Sequence, residues 1–234
     1  MRRAAVYCAI DRADRAAAEM LARSIKGHVG GLKLGLEFFT ANGPREVEAL
    51  QALGLPIFLD LKLHDIPNTV AGAVRAASAL GVRYLTVHAA GGRAMLEAAA
   101  HAAAASPTPP KLLAITVLTS LDESDLVVQG IVRPVADQVM AMAELALGSG
   151  IDGLVCSPLE VEGLRRRFGP APVLAVPGIR PAGGALGDQK RTRTPSEAQA
   201  AGADVLVIGR PISDAADPAG AARAIADELD RAAA

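Results

Sequence analysis

The sequence predicts an α/β fold of the (β/α)8, or TIM, barrel type. Eight short runs rich in aliphatic and β-branched residues recur along the 234 residues, and stretches with helical spacing separate them. The runs are almost continuously apolar, as expected of strands buried on both faces of a parallel sheet. An open doubly wound sheet is the main alternative. It usually has fewer strands and often a glycine-rich turn after the first one, and no G-x-G-x-x-G follows the first run here.

The elements follow one another in a regular order along the chain. The predicted strands are residues 5–11, 31–36, 56–62, 84–89, 112–119, 153–158, 172–179 and 205–210. In the helical stretch after the third strand, Val70, Val74 and Ala77 recur on one face, and Gly81 is expected at the C′ position. The last helix is predicted to begin at Asp217, an N-cap that is followed by proline at N1.

One long segment, residues 180–195, has glycine, proline and charge but no apolar period. It falls inside the β/α alternation, so we expect a long βα loop that acts as a lid over a site. No linker is long enough to divide the chain. We therefore expect a single barrel domain over residues 1–234.

Composition and charge exclude several classes of protein. The net charge of −1 gives no electrostatic reason to expect nucleic acid or an anionic membrane as a partner. No apolar stretch approaches the roughly 20 residues that span a bilayer, and the basic start has too short an apolar run for a signal peptide. Cys8 and Cys156 lie in apolar runs and are predicted to be buried thiols, which fits a reducing cytoplasm. We therefore expect a cytoplasmic protein.

Polar residues mark the ends of the predicted strands. In a (β/α)8 barrel the chemistry gathers at the carboxyl ends of the strands. Those ends carry Asp11, Lys33, Asp60 with Lys62, His88, Thr119, Ser157, Arg180 and Arg210. We expect these residues to line one polar opening, called the mouth below.

The third strand carries an unusual density of charge. Asp60 and Lys62 are two positions apart, so their side chains are expected on the same face, at the mouth. Lys33 comes from the neighbouring strand and Asp65 from the following loop, which predicts an array of alternating Lys and Asp charges. The alternative is a buried ion-pair network that only fixes register, at a desolvation cost that apolar residues would avoid.

A second group of residues predicts a phosphate site. Gly209 and Arg210 end the last strand, and Pro211 is suited to open a short helix. Backbone N–H groups and a guanidinium fork together bind anions, and the loops after strands 7 and 8 are the usual phosphate site of this fold. The alternatives are a simple tight turn at Gly209 and a solvated Arg210. Gln189 could add an amide donor, although its spacing alone is typical of a surface residue.

Three weaker candidates keep two interpretations each. His88 is expected to be a hydrogen-bonded histidine at a strand end rather than a catalytic base. Thr119 either donates to a substrate carbonyl or begins a turn, and Asp11 either binds ligand or caps the first helix. The four histidines show no metal-ligand spacing with each other or with the cysteines, so no metal site is predicted.

A family resemblance accounts for these residues together. The stretch DLKLHDIPNT, residues 60–69, matches D-x-K-x-x-D-I-P-x-T throughout. This pattern resembles the signature of the orotidine 5′-phosphate decarboxylase family. Supporting motifs run along the chain and comprise AID, LKLGLEFF, TVLTS, VPGIR, GDQKR and IGRPI. The resemblance implies a homodimeric carboxy-lyase of pyrimidine (UMP) biosynthesis that converts orotidine 5′-monophosphate to uridine 5′-monophosphate without metal or organic cofactor.

The resemblance also implies a role for each site residue. Lys62 would protonate the pyrimidine carbon as carbon dioxide leaves, with Asp60 against the substrate carboxylate. Lys33 and Asp11 would bind ribose hydroxyls. The catalytic set is thus Lys62, Asp60, Asp65 and Lys33, with Asp65 and Thr69 reaching into the neighbouring subunit's site. Thr119 would lie by the pyrimidine, and the phosphate end would be bound by Arg180, Gln189, Gly209 and Arg210.

Two other functions remain open at this point. Sugar-phosphate relatives, such as 3-keto-L-gulonate 6-phosphate decarboxylase and hexulose phosphate synthase, resemble D-x-K-x-x-D but carry a glutamate where Lys33 stands and need Mg²⁺. A cation at Lys33 argues against a metal there, because it would repel the ion. The other is a catalytically idle barrel that senses nucleotides, which the intact set of Asp60, Lys62 and Asp65 disfavours.

Overall fold

The eight strands close into a barrel. A computed structural model describes residues 3–181 and 192–233 of the chain. Its strands are β1 (Ala5–Ile10), β2 (Gly31–Leu34), β3 (Ile57–Leu63), β4 (Tyr84–His88), β5 (Lys111–Ile115), β6 (Gly153–Val155), β7 (Val173–Val176) and β8 (Val205–Ile208). All neighbours are parallel, and β1 pairs with both β2 and β8. The predicted (β/α)8 barrel is therefore confirmed.

Helices alternate with the strands and cover the outside of the barrel. They are α1 (Arg15–Ile25), α2 (Leu36–Gln51), α3 (Pro67–Ser78), α4 (Gly92–Ala104), α5 (Glu123–Val128), α6 (Val135–Leu147), α7 (Val161–Phe168), α8 (Pro195–Ala201), α9 (Arg210–Ser213) and α10 (Pro218–Ala233). The predicted apolar face of α3 is buried through Val70, Val74 and Ala77. Its C-cap is Ala79, so Leu80 and not the predicted Gly81 is at C′, and Gly81 follows with φ of 66° in the turn.

Most predicted strands run too far at their carboxyl ends. The fifth was predicted to reach Thr119 but ends at Ile115, and the sixth and seventh are also shorter than predicted. The reason is that the first loop residues are themselves buried, as Val117, Cys156 and Ile179 are. Hydrophobicity therefore continues past the last strand pairing and does not mark where the chain leaves the barrel.

Aspartates cap the first and last helices. Asp14, not Asp11, caps α1, since its Oδ1 accepts a hydrogen bond from the backbone N–H of Ala17 at 2.7 Å. At α10 the predicted cap is confirmed, because Asp217 Oδ1 accepts from the N–H of Gly220 at 2.9 Å. Asp11 therefore does not cap α1, and it lies at the mouth of the barrel.

Aromatic rings fill the amino-terminal end of the barrel interior. Tyr7, Phe58 and Tyr84 meet edge to face, with centroids 5.6–6.1 Å apart. Asp60 comes two residues after Phe58 on β3, so the interior changes from apolar to charged within one strand. This aromatic floor closes the barrel below the mouth.

Neither cysteine is in a disulfide, and both are buried, as predicted. Burial raises the pKa of the Cys8 thiol to about 12, with the nearby Asp11 carboxylate acting in the same direction. Among the helices of the described residues, none is long and apolar enough to cross a membrane.

A pair of stacked histidines lies where β3 and β4 end. His88 Nδ1 accepts a hydrogen bond from the N–H of Ala90 at 3.2 Å, which confirms the predicted hydrogen-bonded histidine. Its ring stacks on that of His64 with centroids 5.1 Å apart and planes inclined by 15°. Burial, and then the nearby His64 and Lys62 side chains, lower the pKa of His88 below 6.5.

This lowered pKa predicts a pH-dependent part of the stability. As pH falls below about 6.5, the unfolded chain binds a proton at His88 before the folded chain does, so the free energy of unfolding decreases. We expect His88→Asn to weaken this decrease, because the amide oxygen can accept from Ala90 but does not titrate. Urea denaturation at pH values between 5 and 8 measures the effect, with His101→Asn on the exposed side of α4 as control. An unchanged pH dependence in His88→Asn would contradict the assignment.

Candidate active site

Two adjoining cavities open at the carboxyl ends of the strands. The larger, of about 430 Å³, is lined by Ala9, Asp11, Lys33, Asp60, Pro177, Gly178, Arg180, Val207, Gly209, Arg210, Ser213 and Asp214. The smaller, of about 210 Å³, is lined by Phe58, Asp60, Lys62, Ile115, Val117, Leu118, Thr119, Val155, Cys156, Pro177 and Val207. Asp60 lines both, so it stands at their junction. The larger cavity is rich in charge, whereas the smaller is mostly apolar.

An ion pair occupies this junction. Lys62 Nζ lies 2.6 Å from Asp60 Oδ2, and the two side chains are 32% and 15% exposed, respectively. The predicted proximity is confirmed, but simple strand alternation is not its cause. Lys62 has φ of 50°, and it is the one residue other than glycine with positive φ in the described part of the chain. The register between β3 and β4 also shifts between Leu59 and Leu63, so Lys62 reaches the mouth from an irregular strand end.

Sequence reasoning missed one residue that contacts this pair. Thr86 on β4 is 0% exposed, and its Oγ1 donates to Asp60 Oδ1 at 2.9 Å. The same oxygen accepts from the backbone N–H of Lys62 at 2.8 Å. The available signal was a hydroxyl in the otherwise apolar stretch that precedes His88, on the strand next to Asp60.

A second ion pair stands on the other wall of the larger cavity. Lys33 on β2 is buried, and its Nζ lies 2.7 Å from Oδ1 of Asp11, which is 56% exposed. Gly35 leaves room for this pair, since a Cβ there would lie 3.0 Å from Lys33 Nζ and 3.2 Å from Asp11 Oδ1. The predicted array of alternating charges is thus two separate pairs, Asp11–Lys33 and Asp60–Lys62.

Two arginines face the larger cavity from the last two strands. Arg180 follows β7, is buried, and donates from Nη1 to the carbonyl of Ile179 at 2.9 Å. The predicted short helix is present as α9, with Gly209 as its N-cap, and the exposed Arg210 begins it one residue before the predicted start at Pro211. Asp214, which no sequence argument selected, adds a carboxylate to the same wall. Of the predicted lid, residues 180–195, the stretch 182–191, which includes Gln189, lies outside the described residues.

Two predicted site residues lie outside both cavities. Asp65 and Thr69 are exposed and line neither one. Asp65 Oδ1 accepts from the N–H of Ile66 at 2.6 Å, just before α3 begins at Pro67. Within one chain, therefore, Asp65 does not join the charges around Lys62.

The structure gives different outcomes for the three candidates Thr119, Ser157 and His88. Thr119 lines the smaller cavity and lies in a turn, so the turn is confirmed, while its donation to a substrate carbonyl stays a prediction. Ser157 and His88 were wrongly predicted to line the mouth. Ser157 is buried beneath the loop after β6, where its N–H donates to Glu160 Oε2 at 2.6 Å. His88 lines a different cavity, of about 280 Å³, together with His64.

The arrangement suits an anionic substrate with one apolar part. Arginine side chains in the larger cavity can bind a phosphate, and the smaller cavity can take a flat ring with few polar atoms. At the junction, an ammonium group beside apolar walls stabilises developing negative charge more strongly than it would in water. No group of three or more His, Cys, Asp or Glu side chains that could hold a metal ion occurs in residues 3–181 and 192–233.

Comparisons with known proteins agree with this geometry. Residues 5–225 match the model of the orotidine 5′-phosphate decarboxylase / HUMPS family. An orotidine 5′-phosphate decarboxylase of Paramagnetospirillum magneticum is 56% identical over 229 residues, which cover 96% of this chain and 97% of the relative. One from Anaeromyxobacter sp. (strain K) is 55% identical over 224 residues, at 96% and 97% coverage.

A solved structure is similar over the whole barrel. The crystal structure of orotidine 5′-phosphate decarboxylase from Lactobacillus acidophilus superposes with a TM-score of 0.85 at 37% identity, covering 98% of this chain and 100% of that one. The family match, the sequence identity and the closed barrel with its paired charges lead to one conclusion: the chain belongs to the orotidine 5′-phosphate decarboxylase / HUMPS family.

Proposed function

We propose that the chain is a carboxy-lyase that converts orotidine 5′-monophosphate to uridine 5′-monophosphate and carbon dioxide in de novo pyrimidine synthesis. The observation that carries the proposal is the Asp60–Lys62 ion pair at the junction of a charged and an apolar cavity. The names of the relatives support the same substrate. We further propose that residues 1–234 form one domain that acts in the cytoplasm.

The two cavities suggest how the nucleotide would lie. Its phosphate would lie in the larger cavity against Arg180, Gly209 and Arg210, where Gln189 would add a donor. The ribose hydroxyls would meet the Asp11–Lys33 pair, since a half-exposed carboxylate and a buried ammonium offer one acceptor and one donor. The pyrimidine would then enter the smaller cavity beside Thr119.

Lys62 would supply the catalytic charge and the proton. When the bond between the ring and the carboxylate breaks, its electron pair stays on the ring carbon, in an in-plane orbital that the ring π-system cannot delocalise. A neighbouring ammonium stabilises this charge and then donates its proton to the carbon, so that carbon dioxide and the product form. The neutral amine left on Lys62 regains a proton from solvent.

Asp60 would act mainly on the bound substrate. Its carboxylate lies beside Lys62 in a site with little exposure, so a second carboxylate bound there would be repelled. The repulsion disappears as carbon dioxide leaves, and Asp60 therefore disfavours the bound ground state more than the transition state. Binding energy from the remote phosphate would offset this repulsion.

The exposed positions of Asp65 and Thr69 support a shared site in a homodimer. Both lie beside Pro67, which stiffens a segment suited to crossing a two-fold axis. Since they line neither cavity of their own chain, they would be free to enter the partner's site. Asp65 would there add a second carboxylate beside the partner's catalytic lysine.

Sugar-phosphate relatives are the competing function, since the family description includes them. They need Mg²⁺, whereas Lys33 places a buried ammonium where their metal-binding glutamate would stand. A cation at this position repels a divalent ion, which favours a reaction without a metal. As the family resemblance implies, we propose that the reaction needs no organic cofactor either.

The first test is a direct assay. The purified chain should deplete the absorbance of orotidine 5′-monophosphate and release carbon dioxide, and exhaustive treatment with EDTA should leave the rate unchanged. Hexulose phosphate, with and without Mg²⁺, is the matched control substrate. No turnover of the nucleotide, or an activity that EDTA removes and Mg²⁺ restores, would contradict the proposal.

The shared site predicts recovery of activity in mixed dimers. Lys62→Ala and Asp65→Ala should each be nearly inactive alone, because every site lacks one charge. After unfolding, mixing and refolding, half the dimers are mixed and each has one intact site, so activity should return to roughly a quarter of normal.

The control uses two residues of one site. Lys62→Ala mixed with Asp60→Ala should recover nothing, since every site of that mixed dimer lacks one member of the ion pair. Mass spectrometry confirms that mixed dimers have formed. If Lys62→Ala mixed with Asp65→Ala also fails to recover, Asp65 serves its own subunit and the shared site is refuted.

A further inference from the structure

The Thr86 hydroxyl closes a ring of hydrogen bonds around the ion pair. Its Oγ1 lies 2.8 Å from the backbone nitrogen of Lys62 and 2.9 Å from Asp60 Oδ1. The other carboxylate oxygen, Oδ2, accepts from Lys62 Nζ at 2.6 Å. One threonine thus contacts both the backbone of Lys62 and the carboxylate that binds its ammonium group.

Chemistry fixes the direction of each of these hydrogen bonds. A backbone N–H can only donate, so Thr86 Oγ1 accepts from Lys62. An ionised carboxylate can only accept, so the single hydroxyl proton points at Asp60 Oδ1. One orientation of the hydroxyl satisfies both neighbours, and it leaves Oδ2 as the oxygen that faces Lys62 Nζ.

The hydroxyl stands where the sheet is irregular. The register passes from Leu59 opposite Leu85 to Leu63 opposite Val87, so β3 advances four residues while β4 advances two. Lys62 lies inside this interruption with φ of 50°, a conformation that is costly for a residue with a side chain. The Thr86 hydroxyl binds the Lys62 N–H at this point and so stabilises the unusual backbone.

We propose that Thr86 is a positioning residue for the decarboxylation, which holds the Lys62 backbone and the Asp60 carboxylate so that Lys62 Nζ stays at the reacting carbon. Thr86 lines neither cavity, so it acts through its two neighbours and not on the substrate. The inference rests on the proposed function for its kinetic consequence, but its structural consequence can be tested separately.

The kinetics of two variants distinguish the contribution of the Thr86 hydroxyl from that of its methyl group. Thr86→Val removes the hydroxyl and keeps the shape, and we expect kcat to fall about 10- to 100-fold because a charge-assisted hydrogen bond is lost. KM should stay within about threefold, since the groups proposed to bind phosphate and ribose do not contact Thr86. Thr86→Ser keeps the hydroxyl and should restore kcat to within about threefold of the parent.

Thr116→Val is the matched control. Thr116 is also buried, and its Oγ1 donates to the carbonyl of Val155 at 2.9 Å, away from the ion pair. We expect a comparable loss of melting temperature and an almost unchanged kcat. Equal loss of kcat in Thr86→Val and Thr86→Ser, or no loss in either, would overturn the positioning role.

A crystal structure of Thr86→Val without ligand gives the readout that is independent of activity. We expect Lys62 to leave its left-handed conformation, or its Nζ to move beyond 4 Å from both Asp60 oxygens. Unchanged geometry would overturn the inference, whatever the enzyme's substrate. If the parent protein does not turn over orotidine 5′-monophosphate, the proposed function fails while this structure still decides the role of Thr86. Thr86→Ala serves as the second variant if Thr86→Val does not fold.

Discussion

The partly buried ion pair between Asp60 and Lys62 is the interaction on which the rest of the site depends. Taking two charges out of water costs several kcal/mol per ion, and only good geometry with further hydrogen bonds offsets that cost. The barrel provides both, through the 2.6 Å contact to Oδ2 and the Thr86 hydroxyl on Oδ1. Apolar residues at these positions would fold at lower cost, so chemistry explains the pair better than stability does.

The surroundings of the pair divide the mouth into two kinds of environment. Below it, the rings of Tyr7, Phe58 and Tyr84 exclude water from the barrel interior. On one side the walls are mostly apolar, and on the other the Asp11–Lys33 pair and the arginines present charge. We therefore propose that a substrate with a charged tail and a ring of low polarity would be oriented before any reaction, with its ring beside Lys62.

The sequence was sufficient to predict the barrel, the convergence of charges and every charged residue of the two cavities except Asp214, because strand ends in this fold share one face. It could not predict that Lys62 is left-handed, since no glycine marks the position, or that Thr86 contacts it, since this depends on the register between two strands. The carboxyl ends of several strands were predicted too far along the chain, because buried loop residues such as Val117 continue the apolar run past the last strand pairing. Asp11 was considered as the cap of α1, but Asp14, which the sequence reasoning did not select, accepts the capping hydrogen bond from Ala17.

We propose that the ammonium group of Lys62, held by Asp60, performs the chemical step. Lys62→Ala removes that group, and the most direct measurement compares its kcat on orotidine 5′-monophosphate with its dissociation constant for uridine 5′-monophosphate. We predict that kcat falls by at least about a thousandfold while product affinity changes by less than about tenfold, because the proton donor and its charge are lost but the proposed phosphate and ribose contacts remain. A variant that keeps kcat within about tenfold of the parent would contradict the account.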